Sequence, residues 1–264
     1  MSAPVLIRSP HNTTVQGWRA LNRSRKARTE AQAFLAEGEH MAGEALNAGR
    51  AKALICAEDA QERYRKLSEQ AIAAGLPVYL LSDRALEAVT DTRTPQGVLC
   101  VCDLPDVAGL PECTLVAALE NVQDPGNVGT VMRTMDAIGN AGVLLSRECA
   151  DVFAPKTLRA TMGAIFRVPV WIAEDFTSAL ETLKARNYRL MAGSLEGTPF
   201  YDRPADAEKT CLLIGNEGQG LTAETAALAE LKVRLPMPGN AESLNAAVAC
   251  AVMAYDVLRR RLEQ

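Results

Sequence analysis

The sequence predicts an α/β protein of two domains, and three observations carry that prediction. The chain has 264 residues, more than one average domain. Its apolar residues fall in short strand-like runs separated by helix-length stretches. A Pro- and Gly-bearing stretch, DLPDVAGLPECT (103–114), divides two segments of different texture, which places a boundary near residue 106 and domains at 1–105 and 106–264.

Taken in order, Asn12 and Thr13 are positioned to cap a helix running through Trp18 and Leu21 toward Ala33. The short run Ala33–Ala36 precedes a helix ending at Gly49. Strands follow at Ala53–Cys56 and Val78–Leu81, helices at Ala60–Ala74 and Asp83–Val89, and Gly97–Cys102 closes the segment as a strand. In the second segment, strands are expected at Leu115–Leu119, Gly142–Leu145, Val168–Ile172, Leu190–Ser194, Cys211–Ile214 and Lys232–Leu235. Helices are expected at Val128–Ile138, Phe176–Arg186 and from Ser243 to about Leu262. Short apolar β-runs alternating with helices call for a mostly parallel sheet covered on both faces.

Composition narrows the class. Hydrophobic residues are 48% and charged residues 23%, with a mean hydropathy of -0.02, values of a globular chain rather than a disordered one. The most apolar stretch, Leu244–Tyr255, contains Asn245 and falls short of the roughly 20 residues a membrane span needs. The opening MSAPVLIRSPHNTT has no apolar core of a secretory leader, so a cytoplasmic location is expected. The 7 cysteines form no CxxC, and they read as small buried hydrophobes in a reducing compartment; no metal is expected. Net charge is -4, so nucleic-acid binding requires a local patch. One exists: Arg19, Arg23, Arg25, Lys26 and Arg28 crowd the first helical stretch with no acid before Glu30. They suit either a solvated helix face or contact with phosphates.

Three motifs in the second segment carry chemistry. ENVQDPGNVG (120–129), followed by Arg133 and Thr134, leaves a strand, turns at Asp-Pro-Gly and enters a helix at Asn127, a residue suited to capping. IGNEGQGL (214–221) follows a buried strand, and its glycines let backbone amides approach a ligand. Its G-x-x-G-x-G spacing is not the dinucleotide fingerprint, which argues against a nicotinamide-dependent oxidoreductase. LPMPGNAESLN (235–245) ends a strand and starts the last helix, with Ser243 as cap and Asn245 in the first turn.

Together and in this order, NVQDPGNVGTVMRT, LLIGNEGQGL and LPMPGNAESLNAAVA resemble the three motifs of the SpoU (TrmH-type) RNA ribose 2′-O-methyltransferases of the SPOUT superfamily. Residues 30–102, with FLAEGEHMAGEAL and TRTPQGVLCV, resemble the family's ribosomal-protein-like substrate-binding extension. Departures are slight: Ala246-Ala247 replace a frequent Val-Ser, and Leu235 and Pro238 are mild variants.

The resemblance implies a small N-terminal α/β domain that binds RNA and a C-terminal α/β methyltransferase domain with a trefoil knot. It also implies S-adenosylmethionine as cofactor and a homodimer. It places Arg133, Asn127, Glu217, Ser243 and Asn245 in the catalytic set. Ser194, Gly215, Asn216, Gly220, Leu235, Met237 and Leu244 fall in the cofactor site. Asn127 is expected to position Arg133, and Glu217, Ser243 and Asn245 to hold the ribose and the motif loops. Ribosomal RNA is the preferred substrate, transfer RNA the alternative, and a non-catalytic RNA-binding or ribosome-assembly factor the competing class.

Overall fold

The computed structural model describes residues 4–92 and 94–263; Met1–Ala3 and Arg93, quoted above within longer runs, and Gln264 lie outside them. The chain forms two compact units, residues 1–105 with 151–166, and residues 106–150 with 167–264.

In the first unit the elements are β1 (Val5–Ile7), α1 (Thr13–Arg23), α2 (Arg25–Ala31), β2 (Ala33–Glu37), α3 (Glu39–Asn47), β3 (Ala51–Ala57), α4 (Arg65–Ala73), β4 (Val78–Leu81), α5 (Asp83–Val89) and β5 (Val98–Asp103). The sheet order is β1-β4-β3-β5-β2, parallel across β1-β4-β3 and antiparallel where β5 meets β3 and β2. Val15, Trp18 and Leu21 line one side of α1 and pack with Ile7, Leu35, Ile55, Leu81 and Leu99 in the core. The single opening helix expected from the sequence is two. Asn12 caps α1 through Thr14 N, as anticipated, but Ser24 adopts an extended conformation, ends α1, and caps α2 through its Oγ on Ala27 N. A serine prefers that boundary because its hydroxyl replaces a missing helical acceptor.

The second unit contains β6 (Leu115–Leu119), α6 (Pro125–Ile138), β7 (Ala141–Ser146), β8 (Val170–Ala173), α8 (Phe176–Ala185), β9 (Tyr188–Pro199), β10 (Lys209–Ile214), α9 (Ala223–Leu228), β11 (Leu231–Arg234) and α10 (Ala246–Leu262). The order β11-β9-β10-β6-β7-β8 is parallel at every pair. Strand progression reverses between β6 and β10, and ligands of open α/β sheets bind at such a switch point, beyond the carboxyl ends of the strands. Both the 120–124 turn and the 215–221 loop leave the sheet there.

Apart from short 3-10 turns, three described elements have no counterpart in the sequence reading: β1, α9, and α7 (Pro155–Thr161). The last lies in residues 151–166, which the chain inserts between β7 and β8 and which cluster with the first unit. Phe153 and Phe166, near the two ends of this excursion, both pack on Phe34 of β2, with ring centroids 5.2 and 6.0 Å away. All 7 cysteines are free and buried. Desolvation pushes the Cys56 thiol up to about 11, with a hydrogen bond from Ser68 opposing it, and the Cys250 thiol up to about 12. Neutral thiols of this kind are inert packing groups. Among the described residues no helix is long and apolar enough to cross a membrane.

Candidate active site

A cavity of about 510 Å³ opens beyond the carboxyl ends of β9, β10 and β11, within the range usual for small-molecule and cofactor sites. Its floor and walls come from three loops and the first turns of α10. The first is an extrusion of β9. Pairing with β11 jumps from Ala192↔Lys232 to Thr198↔Val233, so residues 193–197 leave the ladder. Gly193, Ser194 and Glu196 of this bulge face the cavity, and Ser194 Oγ accepts from Glu196 N at 3.1 Å.

The second wall is the 215–221 loop. Asn216 and Gly220 exchange backbone hydrogen bonds of 3.0 and 2.9 Å, and Asn216 Oδ1 accepts from the amides of Gly218 and Gln219. A Cβ on Gly215 would stand 2.1 Å from the carbonyl carbon of Gly220, so the closed loop requires glycine there. Asn216 Nδ2 also donates to the carbonyl of Asn121 at 2.8 Å, tying the foot of the loop to the turn after β6.

The third wall is the segment before α10, with Leu235, Met237, Ser243 and Leu244. All seven residues expected in the cofactor site, Ser194, Gly215, Asn216, Gly220, Leu235, Met237 and Leu244, border this one cavity.

The polar set is arranged differently from expectation in four respects. Asn127 is not the cap of α6. Asp124 is, its carboxylate accepting from Asn127 N at 2.9 Å, with Pro125 at the first helical position, where its fixed φ fits and its missing N–H is not needed. Ser243 does not cap α10 either. Asn245 does, accepting from Ala247 N at 2.9 Å and Val248 N at 3.2 Å, and Ser243 sits exposed in the loop before it.

Third, Asn127 does not hold Arg133. Its side-chain Nδ2 donates to Glu217 at 2.8 Å and its Oδ1 accepts from Asn245 Nδ2 at 2.8 Å, which uses both ends of the amide. Arg133, six residues farther along α6, lies on an exposed stripe with Thr130 and Ala137 and is absent from the cavity wall. Fourth, Arg28 is buried at 5% exposure, so it is removed from the set available to phosphates. Its guanidinium donates to the Leu21 carbonyl and, at 2.5 Å, to Asp151 in the excursion. Arg19 is half-buried, whereas Arg23, Arg25 and Lys26 are exposed, Lys26 also pairing with Glu30.

Glu217 is the centre of the polar network. Besides Asn127, it accepts from the backbone amides of Asp124 at 3.2 Å and Gln123 at 3.4 Å. Burial acts to raise its pKa, but the hydrogen bonds from Asn127, its own backbone N–H, Asp124 and Gln123 outweigh it and hold the carboxyl below the usual glutamate range. The three sequence motifs are thus joined side chain to side chain, the glycine loop to α6 and α6 to the cap of α10. Residues that sequence reasoning left without a role include Glu120, Asn121 and Ser146, which brace the turn after β6, and the wall charges Glu196, Lys232 and Arg234. No short-range signal marks them, because their partners are distant in sequence.

Comparison with known proteins agrees with this geometry. Residues 114–255 match the SpoU rRNA Methylase family, and residues 12–100 match the MRM3-like substrate binding domain. Among curated relatives, the 23S rRNA (guanosine(2553)-2′-O)-methyltransferase RlmP of Bacillus subtilis is 37% identical over 94% of this chain and 97% of its own length. Among solved structures, the AdoMet-bound rRNA methyltransferase from Sinorhizobium meliloti superposes with a TM-score of 0.83 at 30% identity, over 97% of this chain and 98% of that one. The SpoU methyltransferase AviRb from Streptomyces viridochromogenes, in complex with AdoMet, gives 0.84 at 27% identity, over 96% of this chain and 99% of that one. With three motifs joined side chain to side chain and a family match over residues 114–255, the chain belongs to the SpoU rRNA methylase family.

Proposed function

We propose that this protein transfers a methyl group from S-adenosylmethionine to a ribose 2′-hydroxyl of 23S ribosomal RNA. The observation that carries the reading is the Glu217–Asn127–Asn245 network, which joins all three family motifs and reaches the 510 Å³ cavity at Glu217, a residue of its wall. The RlmP and AviRb relatives support the rRNA and cofactor assignments.

The cavity fits the cofactor. It combines apolar walls from Leu213, Leu221 and Met253 with glycine backbone at 215, 218 and 220, suited to an adenine, and wall charges suited to a zwitterionic tail. Ser194, Gly215, Asn216, Gly220, Leu235, Met237 and Leu244 are the residues that would hold it. Bound there, S-adenosylmethionine supplies an electrophilic methyl group on a sulfonium. Alignment dominates such a displacement and can supply on the order of 7–11 kcal/mol of the barrier.

The protein's part is therefore positional. Asn127, Glu217 and Asn245 hold the three motif segments in one register, and exposed Ser243 on the wall offers a hydroxyl to the ribose. A guanidinium is a poor general base and a good bidentate phosphate donor, so we assign Arg133 to clamping a phosphate beside the target ribose rather than to removing the proton. The proton leaves through phosphate or water.

Residues 1–105, which the 151–166 excursion joins, form the substrate-binding domain in this reading and the rest of 106–264 the catalytic one, with Arg19, Arg23, Arg25 and Lys26 contacting RNA phosphates. A cytoplasmic homodimer completes the proposal. Val248, Tyr255 and Leu262, spaced seven apart on α10, are exposed at 47%, 50% and 79%, an apolar stripe suited to a second copy. The family's trefoil knot would be tied by the segment running from β9 to α10.

Transfer of label from methyl-labelled S-adenosylmethionine to rRNA tests the activity. Mapping the 2′-O-methyl group lost from rRNA in a deletion strain identifies the nucleotide. Label in tRNA alone would overturn the rRNA assignment, and cofactor binding without label in any RNA would favour the assembly-factor class.

A further inference from the structure

Glu120 stands one residue past the end of β6, and its backbone N–H extends the sheet ladder by donating to the Ile214 carbonyl at 2.9 Å. The residue is 6% exposed and no Lys or Arg pairs with it among the described residues. Burying a carboxylate without a cation is costly unless several donors converge on it. Here three do. Oε1 accepts from the hydroxyls of Thr222 at 2.8 Å and Thr225 at 2.6 Å, and Oε2 accepts from the backbone N–H of Thr222 at 2.8 Å. Thr222 is the cap of α9, its Oγ1 accepting in turn from Thr225 N at 3.2 Å. The residue after Glu120 grips the other foot of the same loop through the Asn121 carbonyl and Asn216 Nδ2. Consecutive residues at the end of one strand therefore hold both feet of the 215–221 loop, and that loop is a wall of the cavity.

We infer that Glu120 is a positioning residue that holds the glycine loop in its cofactor-binding shape by fixing the loop's exit at Thr222. This rests on the reading of the cavity as the S-adenosylmethionine site. The physical basis is that affinity for a ligand falls in proportion to the fraction of molecules already in the binding-competent conformation. An acceptor-only group is required because three donors point at two oxygens. A glutamine of the same shape turns its NH2 either toward the Thr222 N–H or toward the two hydroxyls, and loses donors in both orientations. The donors to Glu120 sit at the loop's exit, while Glu217 keeps its own hydrogen bonds from Asn127, Asp124 and Gln123, so their loss weakens cofactor binding and leaves the Glu217–Asn127–Asn245 link in place.

The test is steady-state kinetics and calorimetric S-adenosylmethionine titration of Glu120→Gln, Glu120→Ala, Thr222→Ala and Thr225→Val in the full chain. The expected result is a KM and Kd for S-adenosylmethionine raised about ten-fold in Glu120→Ala, with kcat at saturating cofactor and RNA affinity near wild type. Combining Glu120→Gln with Thr222→Ala is expected to add little to either single change, since both break the same link. A merely structural role predicts a lower melting temperature and a smaller active fraction with KM unchanged, and that result overturns the inference. If the Glu120 variants do not fold, the threonine variants decide: unchanged KM in both overturns it, a raised KM supports it. Failure of the wild type to bind S-adenosylmethionine would instead refute the assignment of the cavity.

Discussion

Asn245 Nδ2 donates to Asn127 Oδ1 at 2.8 Å, a bond between residues 118 positions apart, while Asn245 Oδ1 caps α10 by accepting from Ala247 N and Val248 N. One side chain thus starts the last helix and fastens it to the first motif, and the two functions can be separated. Asn245→Asp keeps the acceptor that caps the helix but removes the donor to Asn127. It is expected to melt near wild type yet lose at least roughly ten-fold in turnover, the signature of misplacement rather than instability. Asn245→Ala loses both and is expected to be less stable by about 1 kcal/mol as well. Full turnover in the Asp variant would show that the link to Asn127 does not matter.

Gly215→Ala places a methyl group 2.1 Å from the Gly220 carbonyl carbon, against backbone that cannot rotate away. The loop must open, and the expected outcome is a folded protein with S-adenosylmethionine affinity weakened by about ten-fold or more in calorimetry. Retained affinity would mean that the loop does not form the binding surface.

Arg133 is exposed on α6 and outside the cavity wall, so Arg133→Lys is expected to leave S-adenosylmethionine affinity intact and to lower single-turnover methylation about 10²-fold. Unchanged turnover would refute the phosphate clamp. In the proposed homodimer, mixed dimers then ask which protomer supplies the residue. Arg133→Ala paired with Gly215→Ala leaves one complete site if the arginine serves the neighbouring protomer, and none if it serves its own.

Arg28 and Arg23 are both cations of the opening helices, yet they should respond oppositely. Arg28→Ala strands Asp151 and removes a side chain 6% exposed from its ion pair, for an expected loss of about 3 kcal/mol or more in chemical denaturation. Arg23→Ala should leave stability within about 0.5 kcal/mol. It should also weaken RNA binding and flatten its salt dependence. Equal effects on stability would contradict the burial difference.

Glu217 titrates below the ordinary glutamate value because its hydrogen bonds from Asn127, its own backbone N–H, Asp124 and Gln123 outweigh the burial that acts to raise it. The stability it contributes is therefore complete above the unfolded-state value and is lost as the pH falls through the lower folded one. A carboxyl-carbon NMR titration is expected to place its midpoint below that of an unstructured glutamate, and Asn127→Ala should move the midpoint upward. A midpoint above the ordinary value would mean that burial dominates and the donors do not engage it.

The sequence by itself determined the α/β class, most of the strands and helices, the three motifs, and, through the family they resemble, seven of the residues that border the cavity. The class, the elements and the motifs rest on periodicity and turn chemistry, which act over a few residues and survive in any chain path; the cavity residues follow from the resemblance that the three motifs carry. The tertiary structure decided what the polar residues of those motifs touch. Capping shows the division well: Asp124 and Asn127, or Ser243 and Asn245, are each chemically able to cap; Pro125 favours Asp124 locally, whereas Asn245 caps α10 while bonded to Asn127 of α6, a partner 118 residues away. Arg28 is the same case in reverse, a member of a basic run until Asp151, 123 residues away, buries it. Glu120 gave no local signal because its donors lie 102 to 105 residues downstream, brought to it only when β10 pairs with β6 at the switch in the sheet.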